Sequence, residues 1–201
     1  MTGWTGSWNN EYDTKSYYIV DPVADTIRIG GLIPLEFRRG AAGVAVYNDV
    51  FYITQGANNG HQKKYGGLPY NGFTRFTPAT GEWEALGQIP AYNRDHFRAA
   101  LIGSHLFLVA GRDTTKSNEA ELCCGWLPEP IEYIDLSDLD NDVWHEGAPV
   151  PFPLCGHGLV VDEDRGDIII FGGESDYNVY AGAIFFCFLS CHTLFFMHVF
   201  Y

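Results

Sequence analysis

Two different strand modules recur along the chain in the same alternating order, and this self-similarity constrains the fold more tightly than any other feature of the sequence. The first module is an apolar strand, a tight polar turn, a second apolar strand and a closing glycine. It runs from Ala42 through Asn48-Asp49 to Gly56, returns from Phe97 through Gly103-Ser104 to Gly111, and returns again from His157 to Gly172-Gly173. The second module reads Tyr17-Tyr18-Ile19-Val20-Asp21-Pro22, then Thr74-Arg75-Phe76-Thr77-Pro78 leading to Trp83, then Ile131 to Leu136 leading to Trp144. The closing glycines Gly56, Gly111 and Gly173 stand 55 and 62 residues apart, and Pro22, Pro78 and Leu136 stand 56 and 58 apart, so the period holds and the extra residues fall in turns.

Within each module the apolar positions alternate or run for a few residues rich in Val, Ile, Phe and Tyr, bounded by Asn, Asp, Gly and Ser, which is the pattern of short antiparallel hairpins. Four strands per repeat predict an all-β propeller of four-stranded antiparallel blades. A β-sandwich with chance similarity between hairpins is the alternative, and two modules repeating in one order count against it. The spacing assigns residues 1–15 to an N-terminal loop and 16–175 to a partial propeller: a half blade at 16–29, blades at 39–87 and 94–146, and a half blade at 157–173. Three blades' worth of sequence is fewer than the four to eight that close a ring, so the propeller is expected to be incomplete.

These residues resemble the kelch repeat, which carries an arginine, an apolar strand, a second strand ending in a glycine doublet, a strand with tyrosine, and a tryptophan. The likeness covers about residues 16–175. Gly172-Gly173 keeps the doublet, and Gln55-Gly56 and Ala110-Gly111 keep its second glycine. Trp83 and Trp144 keep the tryptophan, Tyr133 and, conservatively, Phe76 the tyrosine, and Arg39 and Arg94 the arginine. Arg39 precedes Gln55, and Arg94 precedes Ala110, by 16 residues each, which fixes the register without the family; Leu154 replaces the arginine in the last repeat. Trp83 and Trp144 are expected to wedge between blades, and the glycines to supply a positive φ or a close backbone approach. Asn59-Gly60-His61, Asn93-Arg94-Asp95-His96-Phe97 and Gly111-Arg112 are similar to motifs of fungal and bacterial kelch proteins that are often secreted, which implies an extracellular location.

Charge and motifs narrow the function. A net charge of −13, from 25 acidic and 12 basic residues, repels nucleic acid and anionic membranes. Five cysteines, with Cys123 and Cys124 adjacent, give no disulfide framework, and neither Cys155-Gly156-His157 nor Cys187 with Cys191-His192 has structural-zinc spacing, so no metal and no cofactor is expected. Gly-x-Ser-x-Gly, phosphate-loop and His-Glu-x-x-His signatures are missing, and the acidic run from Asp135 to Asp142 reads as a solvated loop. Galactose oxidase and its relatives, copper-radical enzymes, also carry a kelch propeller, and a fragment of such an enzyme is the alternative function, although their tyrosine, cysteine and histidines are not located here. A truncated product without function is a further alternative.

The leading reading is a non-catalytic binding module whose loops take a protein, peptide or carbohydrate ligand. Resemblance to kelch peptide-binding domains points to the residue after the doublet and the residue two beyond the arginine, which here are Ala57 and Arg112, and Ala41 and His96. His96, Arg112, Arg94 and His61 are the candidate ligand-binding residues. His61, His96 and His157 are expected on one face, and Arg94, Arg98 and Arg112 with His96 on one mouth would select a carboxylate by bidentate hydrogen bonding. Pairing of Arg94 with Asp95, or with an acid of a neighbouring blade, is the competing expectation.

The last segment, residues 181–201, is an uncharged, phenylalanine-rich run that interrupts a blade. Its length suits a bilayer span, which would make it a membrane anchor. With no basic flank and with Ser190, His192, Thr193 and His198 inside it, an artefact of gene prediction or out-of-frame translation is the preferred reading, and the segment is not expected to pack as a blade.

Overall fold

The computed structural model describes residues 3–7, 10–60, 67–113, 130–150, 154–174, 187–190 and 193–196, the last two as backbone strands. Strands β1 (Trp4–Ser7) and β2 (Asn10–Asp13) form a short antiparallel hairpin, so the first fifteen residues are not simply the loop that their composition predicts. Strands β3 (Ser16–Asp21) and β4 (Thr26–Leu32) pair as the expected half blade, with a register shift at Tyr17/Tyr18.

The second blade is built from β5 (Gly43–Tyr47) and β6 (Val50–Thr54), interrupted by the two-residue strands β7 (Ala57–Asn58) and β8 (Leu68–Pro69), and completed by β9 (Phe73–Thr77) and β10 (Glu82–Leu86). Its sheet order is β5-β6-β9-β10. Asn48 and Asp49 both take positive φ, 49° and 62°, the conformation that lets a two-residue turn match the twist of the hairpin it joins. The third blade repeats the plan with β11 (Arg98–Ile102), β12 (His105–Val109), β13 (Pro130–Asp135) and β14 (His145–Pro149), in the order β11-β12-β13-β14. Strands β15 (Gly158–Asp162) and β16 (Asp167–Phe171) are the inner pair of a fourth.

These sheets radiate. The first strands β5, β11 and β15 run beside one another, as the innermost strands about a shared axis do. The Gly56 amide donates to the Arg94 carbonyl of the next blade at 2.9 Å, and Gly111 repeats the bond to Leu154 at 2.8 Å. One step along, His96 donates to the Ala41 carbonyl at 3.2 Å and Gly156 to the His96 carbonyl at 2.8 Å.

The core lies between blades rather than within them. One cluster joins Ala45, Tyr52 and Phe73 of the second blade to Phe97, Leu106 and Ile134 of the third. Another joins Ala100, Val109 and Ile131 of the third to Leu154, Ile168 and Ile170 of the fourth. Each sheet thus depends on its neighbour for burial, as repeat architectures require. Trp83 stacks on Phe76 (4.5 Å between ring centroids) and Phe37 (6.0 Å) and meets Tyr17 of the half blade at 6.4 Å. Trp144 meets Phe73 of the preceding blade edge-on at 5.3 Å.

The strand register corrects one pairing. Tyr52 lies opposite Arg75 while its counterpart Phe107 lies opposite Tyr133, so Arg75, not Phe76, stands where Tyr133 does. Tyr133 stacks on His145 at 5.2 Å, and Arg75 instead pairs with Glu84 at 2.6 Å.

Strands β17 (Cys187–Ser190) and β18 (Thr193–Phe196) form their own two-stranded sheet, and β17 runs beside β16. The segment is not expected to pack as a blade, and among the described residues these two strands pair with each other and not with β15 or β16. Extended backbone next to an apolar strand edge is what an uncharged, aromatic-rich sequence adopts there. Among the described residues no helix is long and apolar enough to cross a membrane.

Candidate functional site

The three first modules end in one backbone device. The residue after the arginine position pairs with the residue after the doublet through reciprocal hydrogen bonds: Gly40 with Ala57, Asp95 with Arg112, and Cys155 with Glu174, all at 2.8–3.0 Å. The doublets make this possible. Gln55, Ala110 and Gly172 have φ of 51°, 54° and 64°, and Gly56, Gly111 and Gly173 follow at 106°, 98° and 98°. A Cβ on Gly56 would lie 2.5 Å from the Gly40 carbonyl oxygen, so here a glycine is required by space as well as by φ.

On this constant backbone the side chains differ from blade to blade. The first pair, Gly40 and Ala57, is small, and Trp4 of β1 fills its place: the indole occupies the space a Cβ on Gly40 would need, and Nε1 donates to the Ala57 carbonyl at 3.1 Å. The second pair is ionic, with Arg112 Nε 2.7 Å from Asp95 Oδ1. The same oxygen lies 2.5 Å from Nδ1 of His96, which orients the imidazole and places the Nδ1 proton in that bond. The Trp4 and His96 rings are 5.8 Å apart. The third pair brings Cys155 Sγ to within 3.6 Å of Glu174 Oε1.

His96 and Arg112, two of the expected ligand-binding residues, are therefore brought together, with Asp95 as the group between them. Arg112 and Asp95 are buried, and His96 keeps 28% of its side chain exposed. Trp4 and Glu174 lie at this end of the blades as well; Glu174 holds the position after the doublet that Ala57 and Arg112 hold, whereas Trp4 carries no repeat signal and arrives from a hairpin that composition does not announce. His61 lies outside the described residues.

Arg94 is placed elsewhere. It is buried inside the third blade, donating Nε to Glu132 at 3.1 Å and Nη1 to the Ala110 carbonyl at 2.7 Å, and also reaching the Pro130 carbonyl. Its acid thus comes from its own blade, not from Asp95 or a neighbour. Arg39 is its equivalent in the second blade, equally buried, bonded to the Phe37 and Ile53 carbonyls. His157 does not face the mouth with His96 either: it is fully buried, and among the described residues neither ring nitrogen has a hydrogen-bond partner. It occupies the position of Phe97, packed against Gly173 as Phe97 packs against Gly111.

Comparison with known proteins fits this architecture. No family model matches the chain. Among curated proteins it is similar to Kelch-like protein 40a of Danio rerio, 23% identical over 121 residues, which covers 55% of this chain and 18% of that protein. Among solved structures it is similar to that of YjhT, with a TM-score of 0.65 and 16% identity, covering 86% of this chain and 55% of the other. The chain thus spans just over half the length of the solved relative and under a fifth of the curated one.

Proposed function

We propose that this chain, whose fold is that of a kelch-type β-propeller, acts as a binding module and takes a protein, peptide or carbohydrate ligand at the end where Trp4, His96, Arg112 and Glu174 meet. The carrying observation is the contrast between backbone and side chain at the three equivalent bridges. Packing demands the same backbone in every blade, yet the side chains are small in one, ionic in the next and thiol with carboxylate in the third. Loops held on a rigid scaffold and varied in chemistry are how folds of this kind present a recognition surface.

The roles follow from burial. Asp95, tied to both Arg112 and His96, acts as the positioning residue, and the half-exposed edge of the His96 ring with the Trp4 indole beside it forms the contact surface. An aromatic and an imidazole side by side suit a ligand with one apolar face and polar edges, such as a sugar ring or a peptide side chain.

The test is a screen of the intact chain against peptide and glycan arrays, repeated with His96→Ala and with Trp4→Ala. Hits that weaken by about tenfold or more in both variants, while thermal unfolding is unchanged in His96→Ala, support the assignment. Hits retained by both variants place the ligand elsewhere.

A further inference from the structure

Blade symmetry exposes a buried cation whose partner has been replaced. Arg39 and Arg94 occupy equivalent positions and are 0% and 1% exposed. Ile53 lies opposite Thr74 in the second blade as Leu108 lies opposite Glu132 in the third, so Thr74 stands where the arginine's carboxylate stands one blade on. In the third blade Glu132 accepts from Arg94 Nε at 3.1 Å with one oxygen and from the Ala91 amide at 2.6 Å with the other. In the second blade the threonine is too short to repeat this. Its Oγ1 accepts a 3.3 Å bond from Arg39 Nη2, Tyr70 covers the guanidinium face at 4.2 Å, and among the described residues Nε has no hydrogen-bond partner.

We propose that the Nε edge of Arg39 binds a small monovalent anion, a halide or a small carboxylate, in the place that the Glu132 carboxylate takes beside Arg94. A guanidinium stays charged in a protein, and a buried charge left without a counter-charge or a full set of acceptors is among the most costly groups a fold can carry. Carbonyl oxygens and a ring face supply partial charge only. Burial also pulls the Arg39 pKa down to about 10, opposed only by the ionisable Tyr70 hydroxyl, whereas at Arg94 the Glu132 carboxylate offsets part of the same cost. The net charge of −13 works against anion entry from solution, so the attraction must be local and short-ranged.

Two variants copy neighbouring blades. Thr74→Glu installs the third blade's carboxylate, and Arg39→Leu installs the leucine that the fourth blade has at Leu154. The experiment is denaturant unfolding of the 201-residue chain in sodium bromide and in sodium gluconate at equal ionic strength, with bromide located by anomalous scattering from crystals. Wild type is expected to show a folding constant that rises about tenfold for each tenfold rise in bromide above its dissociation constant. A bromide peak is expected beside Arg39. Whichever of the two variants folds should lose the bromide response, and its crystals the peak. A wild-type response that is absent, or one that persists equally in a folded variant as a general salt effect, overturns the proposal, as does a bromide-soaked crystal with no peak at Arg39.

Discussion

His157 shows what a single position inside this repeat demands. The second and third blades place Ala42 and Phe97 there, and the fourth buries an imidazole that has no hydrogen-bond partner among the described residues. Burial, reinforced by the nearby Arg98, holds its pKa down to about 4 from an ordinary 6.5. The unfolded chain therefore takes up this proton more readily than the folded one. The stability that neutral His157 permits is complete above about pH 6.5, declines as pH falls towards 4, and by then has dropped by roughly 3 kcal/mol. His157→Phe, which copies Phe97, should remove that part of the slope. Urea unfolding of both proteins at pH 7 and pH 4.5 checks it, and parallel pH dependence would show that His157 does not titrate with folding. Such residue-level detail was only partly legible in the sequence. The equal spacing of Arg39 and Arg94 located both, but their acceptors, Thr74 and Glu132, are cross-strand partners more than thirty residues away that no local pattern marks.

At the scale of the element, the doublet is a conformational requirement met with unequal chemistry. Its first position has φ near 50–65° in all three blades, yet is filled by Gln55, Ala110 and Gly172. A left-handed conformation costs a residue bearing a Cβ about 1 kcal/mol relative to glycine. Ala110→Gly should therefore be neutral to slightly stabilising, by at most about 1 kcal/mol once the entropy of the unfolded chain is counted. Gly56→Ala should destabilise by more than about 2 kcal/mol, because its Cβ would meet the Gly40 carbonyl at 2.5 Å as well as an unfavourable φ. Chemical denaturation of the two variants separates them, and changes equal in size but opposite in sign would mean that φ alone matters. The blade strands were readable because alternation and two-residue turns are local signals, carried by segments such as Val44 to Ile53. Strands β1 and β2 were missed because Trp4-Thr5-Gly6-Ser7 and Asn10-Glu11-Tyr12-Asp13 lack an apolar alternation. Their pairing is secured by distant contacts, among them Trp4 on Gly40 and the Asn59 amide on Asp13 at 3.1 Å.

At the scale of the molecule, burial between blades explains both the order of the chain and what lies bare. Tyr17 of the half blade packs on Phe76 and Trp83, while the opposite face, with Tyr18, Val20, Ile27 and Ile29, is 58–70% exposed. That face has the composition of one that a neighbouring blade covers elsewhere in the structure. The repeat period announced this arrangement, since a unit that cannot bury both sheet faces alone must stack on its twin. The candidate site was less legible, because Asp95, Trp4 and Glu174 converge only when the blades are set about their axis. The most direct test of radial packing is NMR measurement of couplings across inter-blade hydrogen bonds. Couplings from the Gly56 amide to the Arg94 carbonyl, from Gly111 to Leu154 and from His96 to Ala41 are predicted together. Absence of all three, with contacts instead joining the hairpins as two facing layers, would contradict the account.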